Sequence, residues 1–292
     1  PILGEAASNV MTASFVNRNS YATYAMFGVL TNLGVYLNMV DEGSATAGKR
    51  RWRNMIETFF GGAWIFAIGT LLCLAAVALT ASRAGALSGI VGLIVFALAW
   101  AAKQQSSESG RSTASGLLVF VGLTALVGFI AYASSDVLIG RLMRADGEEL
   151  RFLVYPQIIE GIQARPLLGH GLGAFQDVFR ASVPQEAGFA EWDLAHSSYL
   201  ENAFEMGLPA AGAFYLALGL IGAKLVQGVR IRRRDRIYAC VALACFVTAL
   251  VHATVDFSLQ MPATASLFAV LLALGWSQSY SELARRREMI GG

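Results

Sequence analysis

The sequence predicts an all-α polytopic membrane protein, and three observations support that fold class. Charged residues make up 14% of the 292 residues and hydrophobic residues 55%, whereas soluble domains carry about 25% charged residues. The mean hydropathy is +0.54. Apolar runs recur that are long enough to cross a hydrocarbon core, which takes about 20 residues of helix. We therefore expect membrane-spanning helices joined by polar loops.

About seven apolar runs are predicted to span the bilayer. All of them are rich in glycine and alanine, which allow helix backbones to approach closely in lipid. They are expected to form a single membrane domain over residues 1–292 with one long loop at 134–195. The predicted spans are 21–40, 57–80, 84–102, 114–133, 199–226, 237–255 and 262–280.

The basic residues predict the orientation of these spans. If the spans alternate in direction, most of the 22 lysines and arginines lie on one side, in loops at 49–53, 103–111, 224–236 and 285–287. Basic loops stay in the cytoplasm. The 134–195 loop is therefore expected to face outward, which in a bacterium is the periplasmic side of the inner membrane.

The same pattern places the start of the chain outside. Residues near Asn17 would lie on the periplasmic side, yet the first residues lack the basic-then-apolar form of a signal peptide. The sequence therefore predicts further membrane helices upstream, which would make this chain the C-terminal part of a longer protein.

The 134–195 loop is too long for a simple connector, and loops of such length are usually functional or disordered. Apolar residues at a spacing of four predict a short amphipathic helix over 148–163, which Arg165-Pro166 ends. The glycine-rich run 169–173 then predicts a close-packed turn; it follows a helix rather than a strand, so a dinucleotide site is not favoured. The apolar stripe consists of Leu150, Val154, Ile158 and Ile162.

Most of the candidate chemistry lies in the polar stretch 150–210. His196, at the start of a predicted span, is either a polar helix cap or a general base that takes a proton from a hydroxyl. Glu205, about two turns further, is costly in lipid and is thus either functional or a paired structural group. The candidate residues of this stretch are Arg151, Arg165, His170, Arg180, His196 and Glu205.

Two other positions carry polar side chains at span ends. Arg83 lies in the tight link 80–85, where it either extends to the membrane surface or binds phosphate through its guanidinium group. Arg151 carries a similar ambiguity, because a solvated amphipathic helix would also present it. His252 and Asp256 lie four residues apart on one helical face. We expect a structural hydrogen bond between them rather than a metal site, since further ligands at a recognisable spacing are lacking.

Together these residues resemble the O-antigen ligase family, whose members share a domain with O-antigen and exopolysaccharide polymerases. The ligases have a Gly-x-x-Gly pattern after their histidine block, whereas Ala210 occupies the second glycine position here, which leaves the polymerase relatives open. The matching blocks are 15–19, 82–85, Arg151 with 166–171, and 196–200 with Glu205 and Gly207; the tail 252–262 is also similar.

The resemblance implies a GT-C-like fold and a metal-independent, inverting glycosyl transfer at the periplasmic face, with no cofactor. The donor would be a glycan on undecaprenyl diphosphate, and the acceptor a hydroxyl of a glycan, of lipid A core or of a protein; no nucleic acid is implied. By position, Arg83 and Arg151 would hold the diphosphate and His196 would activate or orient the acceptor hydroxyl. The further substrate-binding residues implied are Arg165, His170 and Glu205.

Other functions stay open at this point. A polymerase of the same superfamily differs only in its acceptor. A transporter or flippase would also fit glycine-rich helices that carry Asn32, Glu201 and Glu205, although internal repeats and paired broken helices, common in transporters, are not evident. A non-catalytic component is the third alternative.

Overall fold

The regular secondary structure of the described residues is entirely helical. The structure, a computed structural model, describes residues 11–43, 53, 56–102, 148–180, 193–232 and 235–280. A π-helical turn, Phe59–Ala63, precedes α2, and a 3-10 turn, Ser258–Gln260, precedes α8. The α-helices are α1 Arg18–Gly43, α2 Trp64–Thr80, α3 Arg83–Ala101, α4 Glu148–Ala164, α5 Phe175–Phe179, α6 Ser198–Ile231, α7 Arg236–His252 and α8 Pro262–Ser277.

Helices occur at six of the predicted spans, and the all-α fold class is confirmed. Among the residues that the structure describes, three helices are long and apolar enough to cross a membrane: Ile56–Thr80, Arg83–Ala101 and Ser198–Ile231. The apolar helices α7 and α8 are shorter. The predicted span at 114–133 lies outside the described residues, so the count of seven spans stays a prediction.

The link between α2 and α3 is as tight as expected. Ala81 ends α2 in the left-handed region, with φ 47°. Ser82 then caps α3, because its hydroxyl accepts a hydrogen bond from the Gly85 amide at 3.1 Å. Only two residues therefore separate the helices, and Arg83 is the first residue of α3.

Small residues let the bundle pack closely, as predicted. The main apolar core joins α1, α2, α3, α6, α7 and α8. A Cβ atom on Gly92 of α3 would lie 1.9 Å from the Thr248 hydroxyl of α7, and one on Gly275 of α8 would lie 2.2 Å from the Ala242 methyl. Neither glycine can be enlarged without moving a neighbouring helix, so these contacts set the helix spacing.

A second, smaller apolar cluster organises the polar stretch. The buried residues of α4 pack against α5 and against the first turns of α6, which confirms the predicted amphipathic helix within one residue of its expected end. The cluster consists of Val154, Ile158, Ile162, Phe175, Phe179, Ala195 and Phe204.

Candidate functional site

His196 lies in a constrained turn just before α6. Its φ of 52° is in the left-handed region, which costs a residue with a Cβ roughly 1–2 kcal/mol. The next residue, Ser197, is the N-cap of α6, and its hydroxyl accepts a hydrogen bond from the Leu200 amide at 3.5 Å. The interpretation of His196 as the helix cap is therefore wrong.

A buried carboxylate fixes the backbone on the N-terminal side of His196. Glu201, 3% exposed, accepts a hydrogen bond from the Ala195 amide at 2.7 Å and another from the Gln260 side-chain amide at 2.9 Å. The Tyr155 hydroxyl of α4 donates to the His196 carbonyl at 3.3 Å. Side chains from α4, from α6 and from the 3-10 turn thus stabilise the strained turn.

From the sequence, Glu201 is not predicted to hold this turn; it is named only as a polar group that a transporter could use. A signal was available. A carboxylate in the first turn of a helix can reach back to a backbone amide near the N-cap, and Glu201 follows the N-cap Ser197 by four residues.

A buried polar network joins four helix ends beside this turn. Asn19 of α1 donates to a carboxylate oxygen of Asp256 at 3.1 Å and accepts from the Ser82 hydroxyl at 2.7 Å. The Ser198 hydroxyl of α6 donates to the Asp256 carbonyl at 3.0 Å. The starts of α1, α3 and α6 therefore meet the end of α7. We call this region, which contains Ser82, His196 and Asp256, the His196 end.

His252 and Asp256 are linked through Ser258. The Ser258 hydroxyl donates to Asp256 and lies 3.3 Å from Nδ1 of His252. The Thr23 hydroxyl of α1 lies 2.5 Å from the same nitrogen. The prediction that the two residues share one helical face is wrong, because α7 ends at His252; Ser258 links them in place of the expected direct hydrogen bond. Within the described ranges, no three His, Cys, Asp or Glu side chains are placed to hold a metal ion.

The other two predicted catalytic residues, Arg83 and Arg151, lie on helices that are tied to the His196 turn. Arg83, half-buried, directly follows Ser82, and the hydrogen bonds Ser82–Asn19–Asp256–Ser198 connect it to the His196 turn. Arg151 lies on α4 four residues before Tyr155, whose hydroxyl contacts the His196 carbonyl. The side chain of Arg151 lies outside the described part of the structure.

Two further predicted substrate-binding residues, His170 and Glu205, lie beside a kink in α6. The kink is at Gly207, with φ 77° and ψ 162°. Pro209 has no amide hydrogen, so it cannot donate the usual helical hydrogen bond to the Glu205 carbonyl. The Gly171 amide donates to that carbonyl instead at 2.9 Å, and the His170 amide donates to the Phe204 carbonyl at 3.0 Å.

The side chains of His170 and Glu205 hold this turn against α6. The His170 ring stacks on Phe204 with centroids 4.3 Å apart, and its Nε2 lies 2.9 Å from the Gly161 carbonyl. The buried Glu205 carboxylate accepts from the Phe175 amide at 3.0 Å, which supports its interpretation as a paired structural group. Their substrate-binding role stays a prediction.

Two further arginines of the stretch lie at the surface. Arg165 is exposed directly after α4, and Arg180 is exposed at the end of α5. Neither is joined to the His196 turn by the hydrogen bonds described above.

An apolar groove of about 460 Å³ lies between α6 and α8. Both helices contribute only apolar side chains to it. Its lining includes Phe214, Leu218, Ile221, Leu259, Phe268 and Trp276.

A comparison with known families gives a match to this chain. The family model described as O-antigen ligase matches residues 68–215, just over half of the 292 residues. The matched stretch includes every residue predicted to act in catalysis or to bind substrate, and it ends before Asp256. A comparison with curated proteins found no match.

Proposed function

The chain belongs to the O-antigen ligase family, and we propose that it is a membrane glycosyltransferase that moves a glycan from undecaprenyl diphosphate to an acceptor hydroxyl at the periplasmic face. The observation that carries this proposal is the buried network at the His196 end. It ties the start of the Arg83 helix to the His196 turn through Asn19 and Asp256.

Arg83 and Arg151 would hold the diphosphate. As the bond between the sugar and the phosphate oxygen breaks, negative charge grows on the leaving diphosphate, so a fixed cation stabilises the transition state more than the ground state. Arg83 is the first residue of α3, and the positive end of the helix dipole favours an anion at the same place. Because guanidinium groups would supply this charge, we propose a transfer that needs no metal.

His196 would act as the general base. A neutral imidazole accepts the proton of the acceptor hydroxyl while that oxygen attacks the anomeric carbon. Attack from the side opposite the diphosphate forms one bond as the other breaks, which inverts the configuration. The constrained turn supports this role, since Glu201 and Tyr155 fix the backbone on either side of the histidine.

The apolar groove between α6 and α8 would take part of the donor's polyprenyl tail. Its lining is apolar and its walls belong to helices that pack in the main core. A lipid-linked donor needs such a surface, while its sugars need water. The His196 end, where spans meet a polar loop, can provide both.

The acceptor separates a ligase from a polymerase, which is the alternative within the superfamily. Ala210 is exposed, so its methyl group does not crowd a neighbouring residue. The departure from the Gly-x-x-Gly pattern therefore does not distinguish a ligase from a polymerase. A transporter is less well supported, because the Glu201 and Glu205 carboxylates already accept hydrogen bonds from the Ala195 and Phe175 amides.

The test is glycan transfer by the full-length parent and its His196→Ala variant, in a host that supplies the lipid-linked glycan. Products are followed by gel electrophoresis and mass spectrometry. We expect the variant to lose the transferred product and to accumulate lipid-linked donor, and the lost product identifies the acceptor as lipid A core, polymer or protein. Asp177→Ala, an exposed residue of α5, is the matched control. Normal products from His196→Ala would refute the assigned mechanism.

A further inference from the structure

Three leucines are strongly exposed on one short turn beside the kink. Leu167 is 71% exposed, Leu168 87% and Leu172 78%. They lie within residues 165–174, which we call the leucine turn. The flanking helices α4 and α5 bury their own apolar residues in the second cluster. The turn therefore presents large apolar side chains although the fold has an apolar interior close by.

The leucine turn is held firmly in place. The Leu208 amide donates to the Pro166 carbonyl at 2.8 Å, in addition to the two bonds that the His170 and Gly171 amides make with α6. A Cβ on Gly169, whose φ is 63°, would lie 2.2 Å from the Glu205 carbonyl oxygen. The turn thus fits directly against the α6 backbone, and its leucines are presented outward by a fixed scaffold.

The exposed leucines continue an apolar surface of α6. Beyond the kink, α6 exposes Leu208, Phe214, Leu216 and Leu220, and the whole helix is apolar and long enough to cross a membrane. Leu208, the first of these, is joined to the leucine turn by its amide. Arg165, at the start of the turn, is also exposed, as suits a group at the level of lipid phosphates.

We propose that the leucine turn inserts into the bilayer leaflet on the His196 side, with Leu167, Leu168 and Leu172 among the acyl chains. This contact fixes the depth of the His196 end relative to the membrane surface. It concerns the lipid surface itself and does not depend on the glycosyl-transfer reaction.

The test places an environment-sensitive fluorophore at Leu168→Cys and, separately, at Leu172→Cys. The full-length protein carries Cys73→Ser as background, because the other two cysteines are buried in α7, and it is reconstituted as single copies in phosphatidylcholine nanodiscs. Asp177→Cys, on the exposed surface of α5, is the labelled control. Quenching is measured with lipids that carry a nitroxide at a shallow position and with aqueous iodide.

We expect the labels at 168 and 172 to shift to shorter emission wavelengths, to lose intensity with nitroxide lipids and to resist iodide, while the label at 177 responds to iodide. Quenching of 168 and 172 by iodide alone would overturn the proposal. Protection from both quenchers would show that protein covers the turn, which also overturns it. Nitroxide quenching that appears only after undecaprenyl phosphate is added would assign the surface to the donor instead of the bilayer.

Discussion

The two ends of the helix bundle both contain buried polar groups, but they use them differently. At the end opposite His196, buried arginines serve helix C-termini: Arg236 donates to the Ala99 carbonyl at 3.1 Å, and Arg232 donates to the Tyr280 carbonyl at 3.2 Å. At the His196 end, amide, hydroxyl and carboxylate groups bind one another, and Arg83 stands at a helix N-terminus.

This contrast distinguishes two structural arginines from Arg83, for which we propose a role in binding an anion. Cations are favourable near the C-terminus of a helix, where the last carbonyl groups lack partners. They are unfavourable near the N-terminus, where the first amide groups lack partners. Arg232 and Arg236 donate to the Tyr280 and Ala99 carbonyls near the ends of α8 and α3, which is the favourable arrangement, although Arg236 is itself the first residue of α7. Arg83 is the first residue of α3, where the helix dipole favours an anion, and an anion is the group that we propose it binds.

The largest expected effect concerns Arg83. In Arg83→Ala we expect glycan transfer to fall by about 100-fold or more, the size typical of losing one group that stabilises transition-state charge. Its thermal unfolding midpoint should fall less than that of Arg236→Leu, which loses a buried hydrogen bond to the Ala99 carbonyl. Transfer rates with purified lipid-linked donor and unfolding curves in the same detergent measure both. A clear loss of stability with proportionate loss of transfer would make Arg83 structural.

Arg236→Leu should give the opposite pattern. It leaves the Ala99 carbonyl without its charged donor, which costs about 1.5–3 kcal/mol of stability. Transfer per folded molecule should stay near that of the parent. Arg230→Leu, which changes an exposed arginine in the last turn of α6, is the control; it should leave transfer unchanged and cost less stability than Arg236→Leu. The comparison of the two ends fails if Arg236→Leu loses transfer while it keeps its unfolding midpoint.

Local features of this fold could be predicted from the sequence. The spacing of Val154, Ile158 and Ile162 predicted α4, because the helical repeat is a property of neighbouring residues. The kink in α6 could have been predicted as well, since Gly207 and Pro209 stand two residues apart in an otherwise continuous apolar run.

Long-range polar pairing could not be predicted in this way. Asn19 and Asp256 are 237 residues apart, and neither periodicity nor capping rules indicate that their side chains meet. The sequence therefore suggested Arg83 and His196 one at a time, and the bridging role of Ser258 between His252 and Asp256 only became visible in three dimensions.

The smallest effect, and the sharpest test of how the His196 end works, concerns Glu201. In Glu201→Ala the Ala195 amide loses its acceptor, so the left-handed turn at His196 is less firmly held. We expect kcat to fall by about tenfold, or about 1.4 kcal/mol in the barrier, with KM for the donor unchanged. Glu201→Gln should keep most of the rate. The side-chain carbonyl oxygen of the new glutamine can accept the hydrogen bond from the Ala195 amide. If the Gln260 side-chain amide rotates by half a turn, the new amide group can also donate to Oε1 of Gln260. That oxygen is buried and accepts no hydrogen bond from the described residues.

The two substitutions distinguish hydrogen bonding from charge. If Gln restores the rate and the pH profile while Ala does not, Glu201 acts by positioning the His196 turn. If Gln is as slow as Ala, the negative charge itself is needed, and positioning alone is an insufficient account. If both variants match the parent, the turn at His196 is held by Tyr155 and Ser197 alone, and the buried carboxylate serves only to join α6 to the 3-10 turn through Gln260.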